Sequence, residues 1–154
     1  MFSAVFNEGV FSMKKSLNYA LVYAILAMCG GVFYREFTKY NGFEGDTALG
    51  KVHTHFFLLG MVMYLIISLF ARYYDLYGEK LFKVFRAVYN IGVPLTGIML
   101  GVRGVTEVLG TELSKGASAA VSGIAGIGHI LTGAGIVLLI LTLKKCADNE
   151  KTTV

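Results

Sequence analysis

Two histidines one residue apart, His53-Thr54-His55, head an uncharged run that reaches Ala71. Imidazoles inside a membrane span are costly to place and seldom idle. Residues two apart on an α-helix point about 200° away from each other, so His53 and His55 cannot both chelate one metal from a regular helix. They serve two sites, or one of them serves none. A structural zinc site needs four convergent ligands, and no neighbouring residues supply them. Haem suits the pattern better, because a single imidazole from each of two helices suffices to hold the iron axially. Phe56, Phe57, Leu58 and Leu59 supply an apolar wall for the macrocycle, and Gly60, about one turn below His55, lets a ring lie close to the backbone. The competing reading makes both histidines polar residues of the membrane interface, hydrogen-bonded to a loop.

The third imidazole, His129, lies in the middle of another uncharged run, with Gly126 and Gly133 on its face. Counted at about 1.5 Å per residue from the helix ends, it falls several ångströms deeper than His55 and so is not an evident partner on the same iron. It is either a buried neutral histidine bonded to a carbonyl or to Thr132, or a ligand or proton relay. Haem propionates need cations at the surface, and Arg35, Lys51 and Arg103 are the candidates, Arg103 first. Arg103 also reads as an ordinary snorkelling anchor.

Four uncharged stretches position these groups: Ser16–Tyr34, Val52–Ala71, Ala87–Val102 and Gly116–Leu143. Each approaches the roughly 17–25 residues a helix needs to cross a bilayer, once snorkelling Lys83, Arg86 and Arg103 are counted. The chain is 55% hydrophobic and only 16% charged, which agrees with an integral membrane protein. The expected fold is all-α, one domain over residues 1–154, with helices at approximately 16–36, 48–73, 80–108 and 115–145 in a four-helix transmembrane bundle. A net charge of +4 does not point to nucleic acid, because the basic residues sit at span ends rather than along one face.

Lys14, Lys15, Arg72, Lys80, Lys83, Arg86, Lys144, Lys145 and Lys151 share one side, against Arg35, Lys39, Lys51, Arg103 and Lys115 on the other. The positive-inside rule then puts both termini in the cytoplasm and His53 and His55 toward the outer leaflet of the cell membrane. The apolar residues Phe2, Val5, Phe6 and Phe11 precede Lys14-Lys15, the reverse of a cleavable signal. They read as an interfacial helix or a frayed terminus. Asn41-Gly42 and Glu44-Gly45-Asp46 are turn chemistry, with Asp46 or Thr47 as N-cap of the second helix. Pro94 is expected to kink the third helix, and Gly97 with Gly101 to bring a neighbour close. Ala119, Gly123, Gly126, Gly128, Gly133 and Gly135 make the fourth helix a small-residue surface, used mostly for packing.

No phosphate loop, zinc-finger spacing or nucleophile elbow is present in the sequence. Cys29 and Cys146 fall near opposite membrane faces, too far apart for a disulfide, with Cys29 expected as an apolar packing residue. The absence of Cys-x-x-Cys-His excludes the usual covalent haem attachment.

The segments Val52-His53-Thr54-His55-Phe56-Phe57-Leu58-Leu59-Gly60 and Ser122-Gly123-Ile124-Ala125-Gly126-Ile127-Gly128-His129 resemble a family of bacterial four-span membrane proteins of uncharacterised function, over nearly the whole chain. More distantly, His53-x-His55 on the second helix resembles the His-x-His on the tenth helix of the haem-copper oxidase catalytic subunit. That subunit is three arcs of four helices, and its tenth helix is the second member of the third arc. The likeness implies two histidines facing two different haems, and a propionate role for Arg103, where this chain has one arginine rather than two adjacent ones. It implies no copper site and no proton-pumping oxidase, since the further histidines are missing. It also implies a cyclic homotrimer that rebuilds a twelve-helix ring, with His53 of one chain and His55 of the next clamping one haem.

The expected function is an integral membrane haem b protein for electron transfer or for binding a small gas such as oxygen or nitric oxide, with an unidentified redox partner. The alternatives are a cofactor-free accessory protein docking through its glycine faces, and a small metal carrier with His129 as its midplane site.

Overall fold

A computed structural model describes the backbone of residues 2–151 and the side chains of residues 10–149. Four helical rods follow one another: α1 (Phe2–Tyr40), α2 (Ala48–Tyr73), α3 (Lys80–Val108) and α4 (Lys115–Lys151). No strand occurs among the described residues. Every rod contains a stretch long and apolar enough to cross a membrane. The predicted bounds 48–73 and 80–108 are those observed, whereas α1 and α4 are longer than the predicted 16–36 and 115–145.

No separate interfacial helix precedes the first span. Residues 2–13 continue into α1 without interruption, because Ser12-Met13-Lys14-Lys15-Ser16 contains neither glycine nor proline to break the hydrogen-bond ladder. The side chains of Phe2, Val5 and Phe6 lie outside the described residues, and Phe11 is exposed. Farther along α1, Leu21, Ile25, Met28 and Val32 recur at helical spacing and are all more than half exposed. Ile127, Ile130 and Val137 do the same on α4. Such apolar stripes are the faces that lipid covers.

The rods pack in chain order, α1 on α2, α2 on α3 and α3 on α4, with the least extensive seam between α2 and α3. The expected bundle is thus an open arc, since no comparable packing joins α1 to α4 among the described residues. Two glycines end rods in the left-handed region: Gly42 (φ 60°) after α1 and Gly110 (φ 62°) after α3. In each case an amide beyond the glycine closes back on the last turn, Phe43 N on Thr38 O and Thr111 N on Thr106 O, both at 3.0 Å, which is the glycine-terminated helix end. Thr47, one of the two N-cap candidates, caps α2 by accepting from Leu49 N at 3.2 Å and donates its hydroxyl to Gly104 O on α3 at 3.1 Å. The Glu107 carboxylate accepts from Ala48 N at 2.7 Å. The head of α2 is therefore tied to α3 on both sides.

α2 is not uniform. A 3₁₀ turn (Ala48–Lys51) and one α turn (Val52–His55) lead into a π segment, Phe56–Val62, before the α form resumes over Met63–Tyr73. π geometry disturbs the regular ladder of backbone bonds, and within this segment Leu59 O accepts from the Tyr89 hydroxyl of α3 at 2.7 Å. Tyr89→Phe is expected to cost about 1–3 kcal/mol by removing that donor, read as a lowered melting temperature in detergent with the helical circular dichroism of the folded state retained.

Asn90 knots three helices together within the span. Its side-chain oxygen accepts from the Tyr23 hydroxyl at 2.9 Å, and its amide donates to the Tyr64 hydroxyl at 2.5 Å and to Arg86 O at 2.9 Å. Tyr64 stacks between Tyr19 and Tyr23, with centroids 4.8 and 5.8 Å away. In lipid these polar groups have no water to turn to, so mutual bonding holds the helices in one register. At the far end, burial pushes the Tyr77 phenol up from its ordinary range, and its hydroxyl shares a 3.0 Å hydrogen bond with Ser16.

α3 and α4 approach through small residues. A β-carbon at Gly92 would stand 2.6 Å from Thr132 N, one at Gly128 2.6 Å from Thr96 Oγ1, and one at Gly135 2.7 Å from the Tyr89 ring. The expectation that packing uses most small residues of α4 needs correcting: Gly123, Gly126 and Gly133 meet nothing within 4 Å. The Gly97/Gly101 pair also divides. Gly97 receives the Phe56 ring, while Gly101 meets nothing within 4 Å and borders a hollow between α1 and α3. α3 passes through Pro94 as one continuous helix.

Candidate functional site

The two rings of the His-x-His leave α2 toward different neighbours. His53 turns to α1, where its ring lies nearly parallel to Tyr34, with planes 14° and centroids 6.5 Å apart. The bare backbone of Gly31 leaves it room, since even an added β-carbon there would lie 3.7 Å from His53 Cβ and Cγ. Its Nδ1 is buried and has no hydrogen-bond partner.

His55 turns to α4. Its Nδ1 lies 2.8 Å from Lys51 O, and the Thr54 hydroxyl donates to the same carbonyl at 2.9 Å. A carbonyl only accepts, so Nδ1 donates, and in the neutral imidazole Nε2 keeps the lone pair. His129 repeats the device, with Nδ1 2.9 Å from Ala125 O. The two rings stand 6.3 Å apart at 85°.

His129 was expected to sit deeper than His55, off its iron. Counting inward from element ends assumes that the ends are level, and they are not. Residues 111–120 are all exposed, so α4 starts well beyond the head of α2, and His129, fourteen residues into α4, draws level with His55. The ring is bonded to a carbonyl, one of the roles foreseen for it, but it is exposed rather than buried. Thr132 does not serve it, because its hydroxyl donates to Gly128 O at 2.9 Å.

The three basic candidates separate. Arg103 reaches α4 and donates from Nη2 to Ser122 Oγ at 2.7 Å. Ser122 precedes His129 by two turns of α4, roughly 10 Å along the axis. Arg35 stays on α1, 3.6 Å from Glu36, with a side chain 78% exposed. Lys51 is exposed, and its carbonyl is what anchors His55. Sequence reasoning named Arg103 as a candidate but not its partner Ser122, whose signal is its position seven residues before His129.

Gly60 does not seat a porphyrin. A β-carbon there would collide with the Tyr23 ring, which lies on the bare backbone from α1. The flat group that glycine admits is a phenol of this chain. Cys29 is exposed and packs no core, since it falls on the outward face of α1, whereas Cys146 is buried in the core. An almost wholly apolar hollow lies between α1 and α3 over Leu49 and Val52, bordered by Gly30 and Gly101 with Thr106 at its edge; it suits a lipid chain.

Among the described residues no group of three or more His, Cys, Asp or Glu converges as a metal site. Two imidazoles without further donors cannot enclose a bare ion in the tetrahedral manner. They match an ion whose remaining ligands arrive with it, as iron does in a porphyrin.

Four helices long and apolar enough to cross a membrane make this a multi-pass α-helical membrane protein. The chain belongs to the family described as a protein of unknown function (DUF2871), whose model matches residues 13–146. No curated protein and no solved structure matches it, so neither comparison supports the likeness to a haem-copper oxidase arc.

Proposed function

We propose that this protein binds haem b non-covalently in the cell membrane and serves one-electron transfer or the binding of a small gas. The observation that carries the reading is His55: an imidazole inside a membrane span, its Nδ1 held by Lys51 O, so that Nε2 is presented as a lone pair with a fixed direction. Metal-ligating histidines are commonly fixed in this way through the other ring nitrogen. When bound, haem supplies an iron whose two oxidation states differ by one electron, and the protein's axial ligands set its potential and decide whether a gas can enter.

Arg103, steered by Ser122, is the cation for a propionate, while His53 turns away to the α1 side against Tyr34. The charge distribution puts both termini in the cytoplasm and the histidines toward the outer leaflet. The open arc leaves α1 and α4 free to meet in a cyclic homotrimer. A second reading, a cofactor-free accessory protein, is favoured by Gly101 and Gly123, which face open space as docking surfaces would.

An absorption spectrum separates the two. Protein expressed with ample haem and purified in mild detergent is expected to show a reducible Soret band, with haem b identified and counted per chain by pyridine haemochrome. A colourless protein under those conditions rules the haem reading out.

A further inference from the structure

We infer that the two axial ligands of the iron are His55 and His129 of one and the same chain. The inference rests on the haem reading and deepens it, because it makes the site six-coordinate and assigns it to electron transfer rather than gas binding.

The argument starts from the rings. Both are held by a hydrogen bond from Nδ1 to the carbonyl four residues earlier, at 2.8 Å for His55 and 2.9 Å for His129. Both therefore present Nε2 as the ligating nitrogen. With about 2 Å between a ring nitrogen and its metal, two imidazoles sharing one ion bring their centroids roughly 6 Å apart. The observed separation is 6.3 Å. Among the described residues the only hydrogen bonds of the two rings are those through Nδ1, and a nitrogen left bare in lipid is costly.

The surroundings of His129 provide space. Gly126 and Gly133, about one turn to either side of it, have nothing within 4 Å. Within this chain, then, packing does not account for them. Arg103 is bonded to Ser122, two turns from His129 on the same helix, a span comparable to the reach from a porphyrin's centre to its carboxylates. Ligands, open space and counter-charge are thus brought together by α2, α3 and α4 of one chain. No residue of a second copy is needed to complete it.

The test compares His129→Ala, His55→Ala and His53→Ala as purified full-length proteins, each checked for a single symmetric peak in detergent. The wild type is expected to be low-spin when oxidised and, when reduced, not to bind carbon monoxide. His129→Ala should become high-spin, acquire carbon monoxide binding, and return to the low-spin spectrum on addition of free imidazole. His53→Ala should keep the wild-type spectrum. If His129→Ala stays low-spin while His53→Ala turns high-spin, the iron is held by the His-x-His pair across chains; the inference then fails and the haem reading stands. A wild type that takes up no haem overturns both.

Discussion

His55→Ala is expected to lower the haem recovered per chain by at least about tenfold, because loss even of a second-shell partner of a metal ligand costs roughly 10–100-fold in affinity and here the ligand itself is removed. The variant should still fold. His55 packs no core, its ring being hydrogen-bonded only to its own helix at Lys51 O, so an alanine there removes the ring contact with His129 but leaves the α1–α2, α2–α3 and α3–α4 seams intact. Pyridine haemochrome per chain is the measurement, with the melting temperature in detergent as control. Undiminished haem in His55→Ala would remove the residue from the site. Lys51 offers no comparable lever, because it supplies a backbone carbonyl that no side-chain substitution deletes.

The second large effect is structural. Gly104→Ala places a β-carbon against the backbone of Leu49 at the head of α2, where neither partner can rotate away. Overpacking of this kind costs about 1–3 kcal/mol. Moving α2 off α3 would also break the Thr47–Gly104 and Ala48–Glu107 hydrogen bonds, each contributing roughly 1 kcal/mol. The total, about 3–5 kcal/mol, is a large part of a domain's stability. Gly101→Ala, three residues away in the same helix, is the control. With nothing within 4 Å, it should be neutral or gain up to about 1 kcal/mol from helix propensity. Thermal unfolding in detergent distinguishes the two, and equal behaviour of the variants would mean that the α2–α3 contact does not hold the arc.

His55 depends on that contact for its position. The N-cap of α2 and its two ties to α3 set the level at which His55 emerges, and the α3–α4 seam of Gly92, Thr96, Gly128 and Thr132 sets the level of His129. A shift of one turn in either seam, roughly 5.4 Å, would part the rings. Gly104→Ala is therefore also expected to weaken haem retention, whereas Gly101→Ala is not.

Much of the architecture was legible because the information is local. Apolarity over about 20 residues marks a span wherever the chain later places it, and Thr47 caps α2 through a bond two residues away. The bounds 48–73 and 80–108 could accordingly be read directly. The divergence of His53 and His55 follows from helical rotation alone. Asn90 had a signal that was passed over, namely an amide side chain deep in an apolar run, which in lipid must find partners.

The rest depended on how separate helices meet. Gly60 and Gly126 are the same residue type in comparable apolar settings, yet Gly60 is filled by Tyr23 and Gly126 meets nothing. The π segment arises where α2 lies against both α1 and α3, a constraint that no single stretch of sequence contains. By itself the sequence determined four spans, the cap of the second and two imidazoles on opposed sides of that helix, since these depend on hydrophobicity and on dihedral geometry within a few turns. Only the tertiary structure decided that His129 stands level with His55, because relative helix height is set by interlocking side chains across the α3 seams, between residues far apart in the chain.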